Sequence, residues 1–175
     1  GPGEYAAGYL LSDTFQAQMT VSHIFGPALG TDNLVLLGEV AYVDVLDFMD
    51  PNIIRYNSPG TGRTPSLEPN TFTGSTGEGL HVGLSDGPET NPFSTQTSWG
   101  YRLLAVADYN NILGGVNLRA RATFAHDVSG TTPDPLFLFL EDRKSASVVM
   151  TFDYLSKYAV SASYNAFWGG IGTTN

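Results

Sequence analysis

A two-residue alternation runs through most of this chain, and it limits the possible folds more than any other feature. Between Ser98 and Asp127, Trp99, Tyr101, Leu103, Ala105, Ala107 and Tyr109 share one parity. Gly100, Arg102, Leu104, Val106 and Asp108 share the other. After the tract "NNILGG", Val116, Leu118, Ala120, Ala122 and Phe124 alternate with Asn117, Arg119, Arg121, Thr123 and Ala125. Successive side chains of a strand point to opposite faces, so the pattern predicts a hairpin with one apolar and one charged face. In a soluble sheet the apolar face turns inward. In a membrane barrel it faces lipid.

The same alternation recurs along the chain, while helix signals are scarce. A first strand is expected over Asp13–Phe25, with Phe15, Ala17, Met19 and Val21 opposite Gln16, Gln18, Thr20 and Ser22. The turn "GPALGTDN" follows, rich in residues that favour turns. The second strand, Leu34–Val45, is apolar on both parities except at Glu39 and Asp44, which predicts cover on both sides. A long external loop is expected over 46–97, dense in Gly, Pro, Ser and Thr, with a short element near "EGLHVGL". A medium loop, "SGTTPDPLFLFLED", leads to the fifth strand, "RKSASVVMTFDY", and "LSK" leads to the sixth, "YAVSASYNAFW". Leu136–Leu140 reads as an early start to the fifth strand; the other readings fold it over the lumen or make it a greasy entry.

The links after strands one, three and five are short, and those after strands two and four are long. In an up-and-down meander this puts short turns at one end and long loops at the other, as in outer-membrane barrels. Strands of about 9–11 residues match a tilted membrane crossing. Trp99, Tyr109, Tyr154, Tyr158 and Trp168 lie near strand ends and are candidates for two interfacial aromatic girdles. Composition agrees. Charged residues are 14% of the chain, against about 25% in ordinary soluble domains. No apolar run approaches the roughly 18 residues of a membrane-spanning helix. The expected fold is therefore all-β, with antiparallel up-and-down strands forming part of a transmembrane outer-membrane β-barrel. Residues 1–175 are read as a fragment of one barrel domain. Six strands fall short of the roughly eight a membrane barrel needs, so a longer protein is expected. Its signal peptide would lie upstream.

The charged parity supplies the candidate lumen residues Glu39, Arg102, Asp108, Arg119, Arg121, Arg143 and Asp153. The preferred reading is ion pairing between neighbouring strands, or with an internal plug, that holds the barrel in register. The other is a transverse field that selects solutes. Val35, Leu37, Ala41 and Val43 share the parity of Glu39, which favours a plug or a greasy conduit over a wide water-filled pore. His23, His81 and His126 have no metal-ligand spacing. Ser22 and His23 point to opposite faces and cannot form a dyad with each other. No G-x-S-x-G elbow is present. No catalytic residue, cofactor or metal is expected. Asp44, Asp47, Asp50, Glu141 and Asp142 are hard oxygen donors that read first as solvated loop charges and second as calcium ligands. The net charge of −9 leaves no basic stripe for nucleic acid.

The tracts "WGYR", "DYNN", "GGVNL", "HDVSGTTP" and "FLEDRK", in this order, together with "IFGPALGTDNLVLLGEV", carry a resemblance. The chain resembles the C-terminal half of a family of large Gram-negative outer-membrane proteins catalogued as a domain of unknown function. That resemblance implies an outer-membrane β-barrel whose members are several times longer than this chain. A final strand would follow Asn175. It also implies partnership with outer-membrane lipid, a periplasmic carrier and an RND-type inner-membrane transporter of hydrophobic compounds. The leading expectation is a conduit for hydrophobic small molecules or lipids. A surface or structural barrel without transport remains open. So does a soluble β-sandwich binding module with the long loop as its site.

Overall fold

The computed structural model describes residues 9–50, 56 and 94–170. Six strands dominate them: β1 (Thr14–Ala28), β2 (Thr31–Val45), β3 (Thr97–Leu113), β4 (Val116–Ser129), β5 (Lys144–Tyr154) and β6 (Tyr158–Trp168). Each pairs antiparallel with its neighbours in sequence, giving one up-and-down sheet in the order β1-β2-β3-β4-β5-β6. Among the described residues the sheet does not close; β1 and β6 are its two edges.

The two ends of the sheet differ. Leu29 and Gly30 connect β1 to β2, and Gly114 and Gly115 connect β3 to β4. All four have positive φ, between 48° and 81° for Leu29, Gly30 and Gly114 and 97° for Gly115. Tight two-residue turns of this hand follow the natural twist of the strands they join. The third short link is Leu155–Lys157, as expected from "LSK". At the other end the links are residues 46–96 and Gly130–Arg143. Residues 51–55 and 57–93, with "EGLHVGL" and His81, lie outside the described residues.

Several expectations need correction. "GPALGTDN" is mostly strand, because β1 runs to Ala28 and β2 starts at Thr31, with register shifts near Gly26 that absorb the irregular residues. "NNIL" likewise extends β3, as an irregular end that Asn111 ties down by accepting a 2.6 Å hydrogen bond from the Gly115 amide. Leu136–Leu140 is not an early β5; it belongs to the link that folds across the sheet. Arg143 precedes β5 rather than lying in it.

Among the described residues the buried apolar side chains are few: Val43, Val45, Phe139 and Leu140. All sit at the long-link end. The expected double cover of β2 is confined to that end, since Leu36 is 40% exposed. Along the rest of the apolar parity, Met19, Val21, Leu103, Val148, Met150 and Val160 are exposed. Among the described residues no second sheet or helix covers that face.

Candidate functional site: a charged face crossed by the β4–β5 link

Register decides which side chains share a face. Glu39 pairs with Thr20 on one side and Arg102 on the other, and Arg102 pairs in turn with Ala125. Asp108 sits between Asn33 and Arg119, Arg121 between Val106 and Val149, and Asp153 opposite Asn117. Directly opposed residues project to the same side. The strand-borne candidates Glu39, Arg102, Asp108, Arg119, Arg121 and Asp153 therefore share one face.

They do not form one network. Arg119 Nε donates to Asp108 Oδ1 at 2.6 Å, a cross-strand pair of the expected kind. Asp153 instead caps its own turn, accepting from the Ser156 amide at 2.9 Å. Arg121 is exposed and, among the described residues, has no ion-pair partner. Asp108, Arg119 and Asp153 line a cavity of about 400 Å³ at the short-turn end, with Asp32 and Asn117.

The opposite end is organised around a residue that sequence reasoning did not single out. Asp127 is 1% exposed. Its Oδ1 accepts from Arg102 Nη2 at 2.6 Å. Its Oδ2 accepts from Arg143 Nε at 2.7 Å and from the Leu140 amide at 3.2 Å. A buried carboxylate is tolerable only when paired and hydrogen-bonded, and here both oxygens are satisfied by cationic or amide donors. Glu39 and Arg102 are register partners but do not pair with each other. Arg102 turns to Asp127 and to the Tyr101 carbonyl, and Glu39 accepts from Thr20 Oγ1 at 3.1 Å. Asp127 lies within "HDVSGTTP", and Arg143 within "FLEDRK"; the two tracts meet here.

Asp127 thereby fastens the β4–β5 link to the sheet. The link is closed on itself as well. Thr131 and Thr132 are 0% and 1% exposed. The Thr132 hydroxyl accepts from the Leu138 and Phe139 amides at 3.0 and 3.1 Å. The Glu141 carboxylate accepts from the Gly130 amide at 3.1 Å, and the Glu141 amide donates to Thr131 Oγ1 at 3.2 Å. The Thr131 amide donates to Thr95 Oγ1, and the Thr95 amide donates to the Thr131 carbonyl, both at 2.9 Å. Outside this knot the Asp142 carboxylate bonds the Lys144 ammonium. That bond holds Asp142 below its ordinary value of 3.8 against the opposing cost of burial, with the charges of Lys144 and His126 adding to it.

The knot carries Phe139 onto the charged face. The ring fits because position 100 is glycine: a Cβ there would stand 2.9 Å from Phe139 Cε1 and 2.6 Å from the His126 carbonyl oxygen. The Arg102 guanidinium carbon lies 5.9 Å from the ring centroid, within cation–π range. Between link and wall remains a cavity of about 330 Å³, lined by Gln16, Gln18, Glu39, Arg102, Leu138 and Phe139.

The aromatic candidates lie on the other face, near its two ends. Trp99 pairs with Tyr42, and Trp168 with Lys144, at the long-link end. Tyr109 pairs with Leu118, and Tyr154 with Tyr158, at the short-turn end. Of the acidic residues read as loop charges, Asp44, which lies in β2, accepts from Tyr42 and Gln96, Glu141 from Gly130, and Asp142 from Lys144. Among the described residues no group of three or more His, Cys, Asp or Glu is placed to hold a metal.

Among curated proteins nothing matches the chain, and among solved structures nothing matches it either. A family profile does, over residues 1–174: that of the family described as "Protein of unknown function (DUF1302)". An all-β meander whose sequence follows that profile from end to end is, by that match, a member of this family.

Proposed function

We propose that this chain is part of the wall of an outer-membrane β-barrel of a Gram-negative bacterium, and that the barrel is a conduit for hydrophobic small molecules or lipids. The observation that carries the reading is the inversion of the sheet. Its apolar face carries exposed residues on every strand, among them Met19, Leu36, Leu103, Ala122, Met150 and Val160, and the buried apolar side chains of the described residues lie at the long-link end, on the charged face or in the β4–β5 link that crosses it. A soluble sheet would bury the apolar side. The aromatics add a dimension. Trp99 and Tyr109 are separated by about 33 Å of strand at roughly 3.3 Å per residue. A tilt of about 40° reduces this to about 25 Å, the height of the lipid-facing band of such barrels. In this reading Trp99, Tyr109, Tyr154, Tyr158 and Trp168 lie at the lipid interfaces, and Glu39, Arg102, Asp108, Arg119, Arg121, Arg143 and Asp153 face the lumen. A periplasmic carrier and an RND-type inner-membrane transporter would supply or receive the solute.

The test is the full-length protein in liposomes. Insertion with the apolar face in lipid, and flux of a hydrophobic fluorescent probe above empty vesicles, is the expected result. A protein that stays monomeric in buffer without detergent would overturn the membrane reading. Proper insertion without flux would leave the barrel and remove the conduit.

A further inference from the structure

We infer that the β4–β5 link, Gly130–Arg143, is a fixed internal constriction of the conduit, with Asp127 as its clamp and Phe139 as the side chain that narrows the space between link and wall. The inference rests on the barrel reading and deepens it.

Three observations converge. First, the link crosses the face that bears Glu39 and Arg102, and it borders the same cavity as they do. Second, it is anchored rather than draped. Asp127 receives one guanidinium from the wall, Arg102, and one from the link, Arg143, plus the Leu140 amide. Arg143 Nη2 also donates to the Leu138 carbonyl at 3.2 Å, so the residue that the clamp holds orients the turn carrying Phe139. A buried charge so enclosed resists opening, because removing one partner strands the others. Third, Phe139 occupies the notch at Gly100 and is 5% exposed, a seat that a larger residue at position 100 would destroy.

The charges add a selectivity statement. The charged side chains that line the cavity are one carboxylate, Glu39, and one guanidinium, Arg102, so the wall of the passage is balanced there. A balanced ring offers little field to separate cations from anions, and passage there is governed by size and polarity. Asp127 is a positioning residue that acts through the link. Phe139 acts by its own bulk. The two roles separate experimentally. Neutralising Asp127 releases the link and leaves two uncompensated guanidiniums. Shortening Phe139 widens the gap and takes the ring from Arg102, while every formal charge and both guanidinium bonds to Asp127 remain.

The experiment compares wild type, Phe139→Ala and Asp127→Asn as full-length proteins in planar bilayers, reading single-channel conductance and the reversal potential in a potassium chloride gradient. Phe139→Ala is expected to raise conductance by about twofold or more with an unchanged reversal potential. Asp127→Asn is expected to raise conductance and to shift the reversal potential toward chloride. Phe139→Ala leaves the clamp intact, so it remains informative if Asp127→Asn does not assemble. Inserted Phe139→Ala channels with the conductance of wild type overturn the constriction. Wild type and variants that never enter a bilayer overturn the barrel reading and the constriction with it.

Discussion

At the scale of single residues, two positions at the long-link end show what side-chain size and charge do here. Gly100 leaves its space to the Phe139 ring and to the His126 carbonyl. Gly100→Ala is expected to cost about 1–3 kcal/mol, the usual penalty for forcing atoms into a packed site. The measurement is a lowered denaturant midpoint for the lipid-embedded protein, with Gly38→Ala as comparison, since a Cβ there meets only Leu103 at an ordinary 3.6 Å. Equal effects at the two positions would contradict the packing described. Asp142 supplies a pH prediction. Its carboxyl is depressed below 3.8 by Lys144. A group with a lowered folded pKa adds stability that is complete above its unfolded value and is lost as pH falls through the folded one. The Asp142–Lys144 contact should therefore persist at neutral pH and loosen only below about pH 4. Asp142→Asn should remove that acid dependence from the protection of the link against pepsin. The exposure of Asp142 keeps the effect small.

At the scale of strands, the face on which a residue lies outweighs its identity. Ala122 and Thr123 are neighbours in the middle of β4. Ala122 pairs with Ala105 and Val148 on the apolar face, and Thr123 with Leu104 and Ser147 on the charged one. In a membrane-embedded sheet, Ala122→Arg should cost roughly 2–4 kcal/mol, as midplane arginines do, and Thr123→Arg far less. Reversible unfolding from lipid vesicles measures both, and indifference to Ala122→Arg would speak against lipid contact. The Arg119–Asp108 pair belongs to the same scale. Arg119 is 68% exposed, so Arg119→Gln should change stability by only about 0–1 kcal/mol. The paired arrangement of parity was readable from the alternation itself, including the common face of Asp108 and Arg119. The contacts made across that face were not. Glu39 and Arg102 are register partners, yet their side chains chose Thr20 and Asp127. The choice follows from a carboxylate buried farther up the sheet, which outbids an accessible one for a guanidinium.

At the scale of the whole molecule, the sheet has an exposed apolar face and two unpaired edges among its described residues. Exposed edges and apolar patches drive association in water. The chain by itself should therefore self-associate in buffer and disperse in detergent micelles, which sedimentation with and without detergent would read. What the sequence determined alone is the strand content, the up-and-down order, the difference between the two ends and the membership of Asp108, Arg119 and Asp153 in one face. These follow from a period of two and from turn residues, and both are written in side chains close together along the chain. What only the tertiary structure decided is the path of Gly130–Arg143 across the charged face, the burial of Asp127 and the seating of Phe139 at Gly100. "LFLFL" is a continuous apolar run of the kind a buried strand carries, and nothing local distinguishes it from one. Its place is set by partners outside the run itself, namely a notch in β3, a carboxylate near the end of β4 and threonines that close the turn. Such contacts exist only after the strands have paired, so no local period can announce them.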